Sequence, residues 1–548
     1  MNKNYFRNSF SENVFRYKYA QGPSDSWPLL CERLVEDVCG TRWGTLPALM
    51  SVEERRQLYE YMVDMKIMAG GRYLYYAGRP YKAYNNCYLL RAEEDTREEW
   101  SNVTWRAMSC LMTGGGIGID YSRLRPSGKA LSRTGGTASG PIPLMSAINE
   151  IGRNVMQGGS RRSAIYASLN WQHEDINQFL TIKNWSDDIK AMKLKDFNAS
   201  APLDMTNISV NYDDASLVGG LENNEVFKKN VRQALETAEP GFSFNFGDKQ
   251  NETLRNACTE VTSEDDSDVC NLGSINMGNI ENLEQFKSVV HLASKFLVCG
   301  TLRADLPYDK VYKVREKNRR LGLGLMGIHE WLLKKGYQYE VTPELHEWLK
   351  VYRDESKRAA DEHCDRFFIS RPAAYRAIAP TGSIGILAGT TTGIEPLFAV
   401  AYKRRFLTEG TKWKYQYVVD GTADLLINKF GVKPESIQSA LELSENYEQR
   451  IKFQADIQDY VDMSISSTIN LPAWGSKHNN DDKVSEFTRV LASYAPRLRG
   501  FTCYPDGSRG GQPLTAVPYD EAIKHRDVVY EETPDICEFT GHGGSCGV

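Results

Sequence analysis

The sequence predicts an α/β fold with a largely parallel sheet, preceded by a helical region. Residues 85 to about 510 alternate short apolar runs, glycine-rich turns and helical stretches, as in NNCYLL, EEWSNVTWRAMSCLM and TGGGIGIDYS. Such alternation is typical of βα units. Before residue 80, apolar residues recur at helical spacing, and Ser51 with Glu54 matches a capping box. From about residue 512 the chain turns polar and ends in DICEFTGHGGSCGV, which predicts a C-terminal tail.

The composition is that of an ordinary globular protein and excludes several classes of partner. The chain has 548 residues, 41% hydrophobic and 25% charged, with a net charge of −5. No run of Lys and Arg indicates a nucleic-acid surface, and no segment reaches the roughly 18 apolar residues of a membrane span. The first twenty residues lack the apolar core of a signal peptide. Eleven scattered cysteines, an odd number, favour a reducing compartment. We therefore expect a cytoplasmic protein that binds neither nucleic acid nor membrane.

Four segments are rich in Gly, Ser and Thr, namely residues 113–125, 132–143, 156–164 and 379–385. Turns of this kind can direct backbone N–H groups at an anion. Two of the segments also carry arginines that could bond phosphate: Arg123, Arg125, Arg161 and Arg162. None is a Walker A loop, and GGGIG matches the dinucleotide fingerprint only loosely. Each segment alone is most simply an ordinary turn, but the four together favour a phosphorylated ligand.

The cysteines divide into structural and chemical candidates. Six are interpreted as core or isolated residues: Cys31, Cys39, Cys110, Cys299, Cys364 and Cys503. Nothing near His363 and Cys364 completes a zinc site, so no metal site is predicted. Five remain: Cys87, Cys258, Cys270, Cys537 and Cys546. The last two lie in the glycine-rich tail and form either a dithiol that exchanges with other thiols or an inert end.

Several motifs occur in a fixed order between residues 85 and 512. They are NCYLL at Cys87, TGGxASGP (134–141), NxCxE (256–260), CNLGSxN (270–276), APTGSIGxxAGTTxGIEP (379–396), STINLP (467–472) and YPDGSRGGQ (504–512). Together they resemble the large catalytic chains of ribonucleotide reductases. The resemblance implies a ten-stranded α/β barrel with a central finger loop at residues 81–515. A helical region (1–80) would precede it, and a flexible tail with a redox cysteine pair (516–548) would follow.

The resemblance also implies thiyl-radical reduction of ribonucleotides to 2′-deoxyribonucleotides. Cys258 matches the cysteine whose thiyl radical abstracts the 3′-hydrogen. Glu260 matches the general base that acts on the 3′-hydroxyl, and Asn256 matches the residue that holds the ribose hydroxyls. In an extended loop these three side chains would point the same way, toward one face of the sugar. Cys87 and Cys270 match the dithiol that supplies two reducing equivalents and ends as a disulfide.

Further assignments follow from the same resemblance. Cys537 and Cys546 would re-reduce the disulfide and be recycled by thioredoxin or glutaredoxin. The expected substrate-binding residues are Asn86, Gly116, Ser139, Leu272, Pro380, Thr381, Gly382 and Ser383. Asp95, Arg123 and Arg125 are the expected site of a dNTP or ATP specificity effector, linked to substrate choice by the loop MQGGSRRSA, in an expected homodimer. Only 86 residues precede Cys87, too few for an ATP-cone activity domain, so we expect no overall on/off switch.

The radical source is predicted from the C-terminal motif. Members that depend on a metal-containing β subunit carry two adjacent tyrosines there, whereas Tyr504 is followed by Pro505. This resembles the adenosylcobalamin-dependent class, as does the short gap between Cys258 and Cys270. A class that takes its radical from a separate β subunit stays open as the alternative, as do another thiyl-radical enzyme on the same barrel and a non-catalytic nucleotide-binding relative. The sequence does not decide between diphosphate and triphosphate substrates, or between a bacterial and a phage protein. A phage protein would act in the cytoplasm of its host.

Overall fold

The computed structural model of the protein describes residues 5–155, 163–196, 199–408, 412–508, 514–526 and 528–531. Its helices are α1 Ser9–Lys18, α2 Trp27–Val38, α3 Val52–Val63, α4 Gly71–Tyr76, α5 Arg97–Met112, α6 Ile142–Asn154, α7 Ile176–Thr181, α8 Asp187–Lys195, α9 Glu225–Thr237, α10 Leu283–Arg303, α11 Asp309–Asn318, α12 Ile328–Lys334, α13 Pro343–Arg366, α14 Gly382–Ala388, α15 Gly421–Phe430, α16 Ala440–Leu443, α17 Tyr447–Gln458, α18 Asp481–Tyr494 and α19 Tyr519–Lys524.

The strands are β1 Ile67–Ala69, β2 Cys87–Arg91, β3 Gly116–Asp120, β4 Ile165–Asn170, β5 Thr206–Tyr212, β6 Gly241–Phe244, β7 Leu254–Arg255, β8 Thr262–Ser263, β9 Asp268–Asn276, β10 Leu321–Met326, β11 Ala401–Thr408, β12 Lys412–Val419, β13 Thr468–Leu471, β14 Gly500–Pro505, β15 Leu514–Ala516 and β16 Val529–Glu531. The central strands are mostly buried along their whole length, as expected where helices cover a sheet. The predicted α/β class is confirmed.

Two parallel half-sheets form the central barrel. Strands β2, β3, β4, β5 and β6 pair in this order, all parallel. In the other half, β9 pairs with β10 and β13 with β14, while residues 376–378 bridge β10 to residue 465 just before β13. The halves meet antiparallel where β2 lies beside β9 and β6 beside β14. Nine strands and the bridged segment thus close a ring of ten, as predicted.

The connection from β6 to β9 enters the barrel as a short hairpin. Strands β7 and β8 pair antiparallel, and residues 256–261 between them are called the finger loop here. Residues of both half-barrels hold its backbone: Asn207 Nδ2 donates to the Ala257 carbonyl at 3.4 Å, and the Ser464 N–H donates to the Glu260 carbonyl at 2.8 Å. The predicted central loop is therefore present.

Glycines of β3 make room for this hairpin. A Cβ at Gly118 would lie 1.7 Å from the carbonyl oxygen of Arg255, and a Cβ at Gly116 would lie 3.0 Å from the Cβ of Ala257. Part of the glycine-rich segment 113–125 is therefore a barrel strand whose glycines face the base of the finger loop. Close backbone packing explains these two glycines without an anion.

The N-terminal region packs against the loop and helix that follow residue 379. Arg7 donates to both carboxylate oxygens of Glu330 at 2.8 Å and to the Gly389 carbonyl at 2.8 Å. Ser11 Oγ donates to the Ile386 carbonyl of α14 at 2.6 Å. Helices α1 to α4 and strand β1, which pairs with β9, therefore share one core with the barrel. None of the described helices is both long and apolar enough to cross a bilayer.

A second sheet, which the sequence analysis did not anticipate, has the strand order β15-β11-β12-β16. Its outer strands and α19 come from residues 514–531, so the beginning of the predicted flexible tail is structured. The physical reason is a small apolar cluster in which Ala522 of α19 packs with Ala401 and Val419 of the β11–β12 hairpin. Cys537 and Cys546 lie outside the described residues.

We predict that Gly118→Ala destabilises the protein because the added methyl group must overlap the Arg255 carbonyl. Overpacking usually costs about 1–3 kcal/mol, and a clash with backbone belongs at or above the upper end. Urea unfolding monitored by circular dichroism measures the loss. Gly382→Ala is the matched control, because a Cβ at this position would have nothing within 4 Å. Equal urea midpoints for Gly118→Ala and the wild type would contradict the proposed packing.

Candidate active site

Cys87 and Cys270 face each other where the two half-barrels meet. They are direct partners in the antiparallel register of β2 and β9. Such partners have Cα atoms about 4.5–5.5 Å apart, within the span of a disulfide. Both thiols are buried and free. Gly322 of β10 leaves space beside them, because a Cβ there would lie 3.1 Å from the Cys270 sulfur. The pair can therefore alternate between dithiol and disulfide with little backbone movement.

The finger loop brings an amide and a carboxyl to the Cys87 sulfur. Asn256 Nδ2 donates to Cys87 Sγ at 2.9 Å, and the Cys87 thiol donates to Glu260 Oε1 at 3.8 Å. Asn256 Oδ1 accepts from the Val261 N–H at 2.9 Å, which fixes the amide orientation. Three predicted catalytic residues, separated by up to 173 positions in the chain, thus meet at one sulfur.

The expectation of an extended finger loop is wrong. The Thr259 N–H donates to the Asn256 carbonyl at 3.0 Å, and Thr259 has φ +70°, so the tip is a tight turn. Asn256 and Glu260 are buried, whereas Cys258 is exposed at the tip. The two flanking side chains converge because the turn folds the loop back on itself, and strand alternation plays no part.

Burial sets the protonation states of this site. It raises the pKa of Glu260 from 4.5 to about 7, despite hydrogen bonds that favour the ionised form. Burial likewise raises the pKa of the Cys87 and Cys270 thiols well above their ordinary value. The buried Glu260 Oε2 has no hydrogen-bond partner among the described residues. The carboxyl can therefore exchange a proton with a bound hydroxyl near neutral pH, while the thiols keep their hydrogens.

An apolar layer lines the barrel around the cysteine pair. Its members are Leu89, Leu254, Val261, Leu272, Ala374, Ala377, Ala379 and Met463. Such a lining excludes water and strengthens the electrostatic interactions inside it. Ala379 is followed directly by the predicted substrate loop, residues 380–383. That loop therefore starts at the wall of the cysteine cluster.

The structure brings most of the predicted substrate-binding residues close to this wall. The Asn86 carbonyl accepts from the Gly116 N–H at 2.8 Å, and Asn86 Oδ1 is buried without a described partner. Thr381 has φ +51°, and its hydroxyl accepts from the Gly393 N–H at 2.8 Å, just before α14 begins. Pro380 and Gly382 are exposed, and Ser383 is half-buried. Ser139 lies on an exposed loop before α6, and none of these contacts reaches it.

The three predicted effector residues lie together beyond the ends of β2 and β3. Arg125 donates from its backbone N–H and its Nε to Asp95 Oδ2, at 3.0 and 2.5 Å. Arg123 Nη1 lies 2.8 Å from Glu93 Oε2. All four side chains are at least partly exposed. Residues 156–162, most of the predicted linking loop MQGGSRRSA, fall outside the described ranges.

Sequence reasoning missed Arg255, which anchors the base of the finger loop. Its buried guanidinium donates to Asn245 Oδ1 at 2.7 Å, to the Arg499 carbonyl at 3.2 Å and to the Phe244 carbonyl at 3.4 Å. Burial, aided by the charge of Arg499, lowers its pKa to about 9. Its position directly before the NxCxE motif could have drawn attention to it in the sequence. In the structure it ends the two-residue strand β7.

The Tyr504–Pro505 pair, on which the prediction of the radical source depends, lies within the described residues. Tyr504 lies in β14 opposite Asn470 of β13, and Pro505 follows it in the same strand. Across the part of the chain that the structure describes, no group of three or more His, Cys, Asp or Glu side chains is placed to hold a metal ion.

We predict a pH-dependent stability loss that depends on Glu260. The folded protein holds the carboxyl proton up to about pH 7, whereas the unfolded chain releases it near pH 4.5. The stabilisation that comes from this protonated carboxyl is therefore fully present below pH 4.5 and is lost as the pH rises to about 7. For a pKa shift of this size, the free energy of unfolding should fall by roughly 3 kcal/mol over that range. Glu260→Gln should lack this slope. Urea unfolding of both proteins at pH 5, 6, 7 and 8 tests it, and parallel stability curves would contradict the raised pKa.

Comparison with known proteins identifies the family. The family model described as "Ribonucleotide reductase, barrel domain" matches residues 85–206, 212–346 and 370–504. The chain is 28% identical over 501 residues to a vitamin B12-dependent ribonucleoside-diphosphate reductase of Mycobacterium tuberculosis CDC 1551, covering 81% of this chain and 71% of that protein. It is 25% identical over 531 residues to a protein of the same name from Thermoplasma acidophilum, covering 83% of this chain and 66% of that protein.

A solved structure supports the fold. The crystal structure of a B-12 dependent (class II) ribonucleotide reductase superposes with a TM-score of 0.71, covering 95% of both chains at 16% sequence identity. The matched segments of the family model begin just before Cys87, include the whole finger loop and end at Tyr504. The chain belongs to the ribonucleotide reductase family.

Proposed function

We propose that this protein reduces ribonucleotides to 2′-deoxyribonucleotides by thiyl-radical chemistry for DNA precursor synthesis. The observation that carries the proposal is the contact of Asn256 and Glu260 with Cys87, directly opposite Cys270. Family membership and the names of the similar proteins support it. A non-catalytic relative would be expected to have lost one or more of the five motif residues, and the sequence contains all five.

In the proposed mechanism, a thiyl radical on Cys258 takes the 3′-hydrogen atom of the substrate. Glu260 accepts the proton of the 3′-hydroxyl at its unpartnered oxygen, and Asn256 orients the ribose hydroxyls. The 2′-hydroxyl leaves as water. Cys87 and Cys270 supply the two protons and two electrons that replacement of this hydroxyl by hydrogen requires, and they end as a disulfide. Cys258 then returns a hydrogen to the 3′-carbon, which regenerates its radical.

We propose adenosylcobalamin as the radical source. When bound, this cofactor supplies a carbon radical by homolysis of its cobalt–carbon bond. The residues present fit such a group in one respect: Cys258 is the exposed member of the nine described cysteines, at the tip of a turn with Thr259. The Tyr504–Pro505 sequence and the names of the similar proteins disfavour the alternative, a separate metal-containing β subunit.

Further parts of the proposal concern partners and binding. Loop 380–383 would hold the substrate phosphate, with Asn86, Gly116, Ser139 and Leu272 at the nucleoside. Asp95, Arg123 and Arg125 would bind a dNTP or ATP effector. To bind there, the effector must displace the ion pairs that these residues form. The protein would act as a homodimer. Cys537 and Cys546 would re-reduce the disulfide, with thioredoxin or glutaredoxin as the final reductant. The nine described cysteines, none of which forms a disulfide, fit a reducing cytoplasm.

We predict that the purified chain forms deoxynucleotide from CDP or CTP, with a dNTP and dithiothreitol, only when adenosylcobalamin is added. Cys258→Ser should reduce turnover to background, because a hydroxyl cannot replace the thiyl radical. Cys110→Ala, a buried cysteine of α5 outside the site, is the control and should stay active. Chromatographic separation of the nucleotides measures the product.

Two outcomes would overturn parts of this proposal. Product from Cys258→Ser would reject the radical role of Cys258. No product from the wild type with cobalamin, followed by product after addition of a metal-containing β subunit, would replace the cofactor assignment while leaving the reaction in place.

A separate prediction concerns the tail. The double variant Cys537→Ser, Cys546→Ser should complete about one turnover from its reduced Cys87–Cys270 pair and then stop when thioredoxin is the reductant. Dithiothreitol should restore continued turnover, because a small thiol can reach the disulfide directly. Sustained turnover of the double variant with thioredoxin would show that the tail cysteines are dispensable.

A further inference from the structure

The finger loop rests on a hairpin too small to hold its own position. Strands β7 and β8 form only two residue pairs, Leu254 with Ser263 and Arg255 with Thr262. Isolated two-stranded hairpins are marginal in water even when much longer. Side chains around the base of the hairpin must therefore fix where the finger loop, and with it Cys258, stands in the barrel.

One anchor is Glu252, two residues before β7. Its Oε2 accepts from Thr262 Oγ1 of β8 at 2.6 Å and from Arg499 Nη2 at 3.1 Å. Its Oε1 lies 3.7 Å from Arg320 Nη1. These neighbouring cations hold the pKa of this largely buried carboxyl near 2 against the effect of burial. Glu252 thus carries a full charge at the root of the finger loop.

The second anchor is Asp268, the first residue of β9. It accepts from Ser263 Oγ of β8 at 2.6 Å, from Asn318 Nδ2 at 2.9 Å and from Arg320 Nε at 2.8 Å. Asp268 lies two residues before Cys270, on the same face of the strand. It thus ties the other strand of the hairpin to the strand that carries the redox cysteine.

Arg320, the residue before β10, lies between these two carboxylates. It is 5% exposed, and its planar guanidinium donates to Asp268 through Nε at 2.8 Å. Its Nη1 forms an ion pair with Glu252 at 3.7 Å, without a hydrogen bond. A planar fork can hold two carboxylates at a set angle in a way that a lysine ammonium cannot. No other described cation pairs with both of them.

We infer that Arg320 is a positioning residue that fixes the finger loop relative to β9, and so Cys258 relative to Cys270. The inference rests on the proposed function. Radical transfer and dithiol oxidation require both cysteines at one sugar, and a displacement of about 1 Å can cost a hundredfold in rate. The proposed phosphate contacts of loop 380–383 lie outside the finger loop and β9, so the loss should fall mainly on kcat.

The test uses the full chain in a Cys537→Ser, Cys546→Ser background, with dithiothreitol as reductant. Arg320→Met should lower kcat at least tenfold while KM stays within about twofold, and Arg320→Lys should recover part of the loss. Arg320→Met with Asp268→Asn removes both charges of that pair, and Glu252 keeps its ion pair with Arg499, so no carboxylate is left unpaired to unfold the protein. The kcat of this variant should also stay low. Arg319→Met is the matched control, because Arg319 is 3% exposed but binds Ser370 and Thr301 instead.

A second readout does not need turnover. Diamide oxidises two thiols to a disulfide and is itself reduced to a hydrazine. In the wild type and in Arg319→Met, peptide mass spectrometry should find the Cys87–Cys270 linkage. In Arg320→Met, and in the variant that combines Arg320→Met with Asp268→Asn, a released finger loop should add disulfides from Cys258 to Cys87 or Cys270.

The two readouts separate the inference from the function that underlies it. If the wild type is inactive but Arg320→Met still shows the additional Cys258 disulfides, the proposed function is rejected and the positioning role of Arg320 is kept. An active set of proteins in which Arg320→Met matches Arg319→Met in kcat and in disulfide pattern would overturn the inference. A parallel rise in KM would overturn it as well, because the link would then serve substrate binding.

Discussion

The antiparallel seam between β2 and β9 is the constraint on which the site depends. Each half-barrel is parallel within itself, so strand direction reverses where the halves join. This antiparallel pairing places residues of the two halves directly opposite each other, close enough for two sulfurs to bond. The register puts Cys87 and Cys270 at one such position. A slip of one residue would turn one of the thiols to the other face of the sheet.

The seam also explains why the connection between the halves carries three of the proposed catalytic residues. A chain that leaves β6 and must start β9 beside β2 has to return across the barrel. The finger loop uses this crossing to present Asn256, Cys258 and Glu260 to the interior. Glycines of β3 allow the backbone to pass, and the apolar wall keeps Glu260 dry enough to titrate near neutrality. Topology, packing and protonation state are thus parts of one arrangement.

The sequence supported the fold and the five central residues because their motifs are local and occur in order. It could not show the turn at the tip of the finger loop, because Thr259 is not a residue type that usually signals φ +70°. It could not show Arg320, whose partners lie 52 and 68 positions earlier in the chain. The β11–β12 sheet was missed because its outer strands have only three residues each. Of the glycine-rich segments, the one at residues 113–125 contributes Gly116 and Gly118 to close packing against the finger loop, which a sequence pattern of turns does not show.

The pairing of β16 with the β11–β12 hairpin fixes the origin of everything that follows it in the chain. Glu531 is the last paired residue, and Cys537 and Cys546 stand six and fifteen positions beyond it. A chain reaches at most about 3.5 Å per residue, so these thiols can travel no more than roughly 20 and 50 Å from that point. A reagent confined to such a volume acts at an effective concentration on the order of millimolar. The small sheet therefore limits which disulfides the proposed tail dithiol could reach.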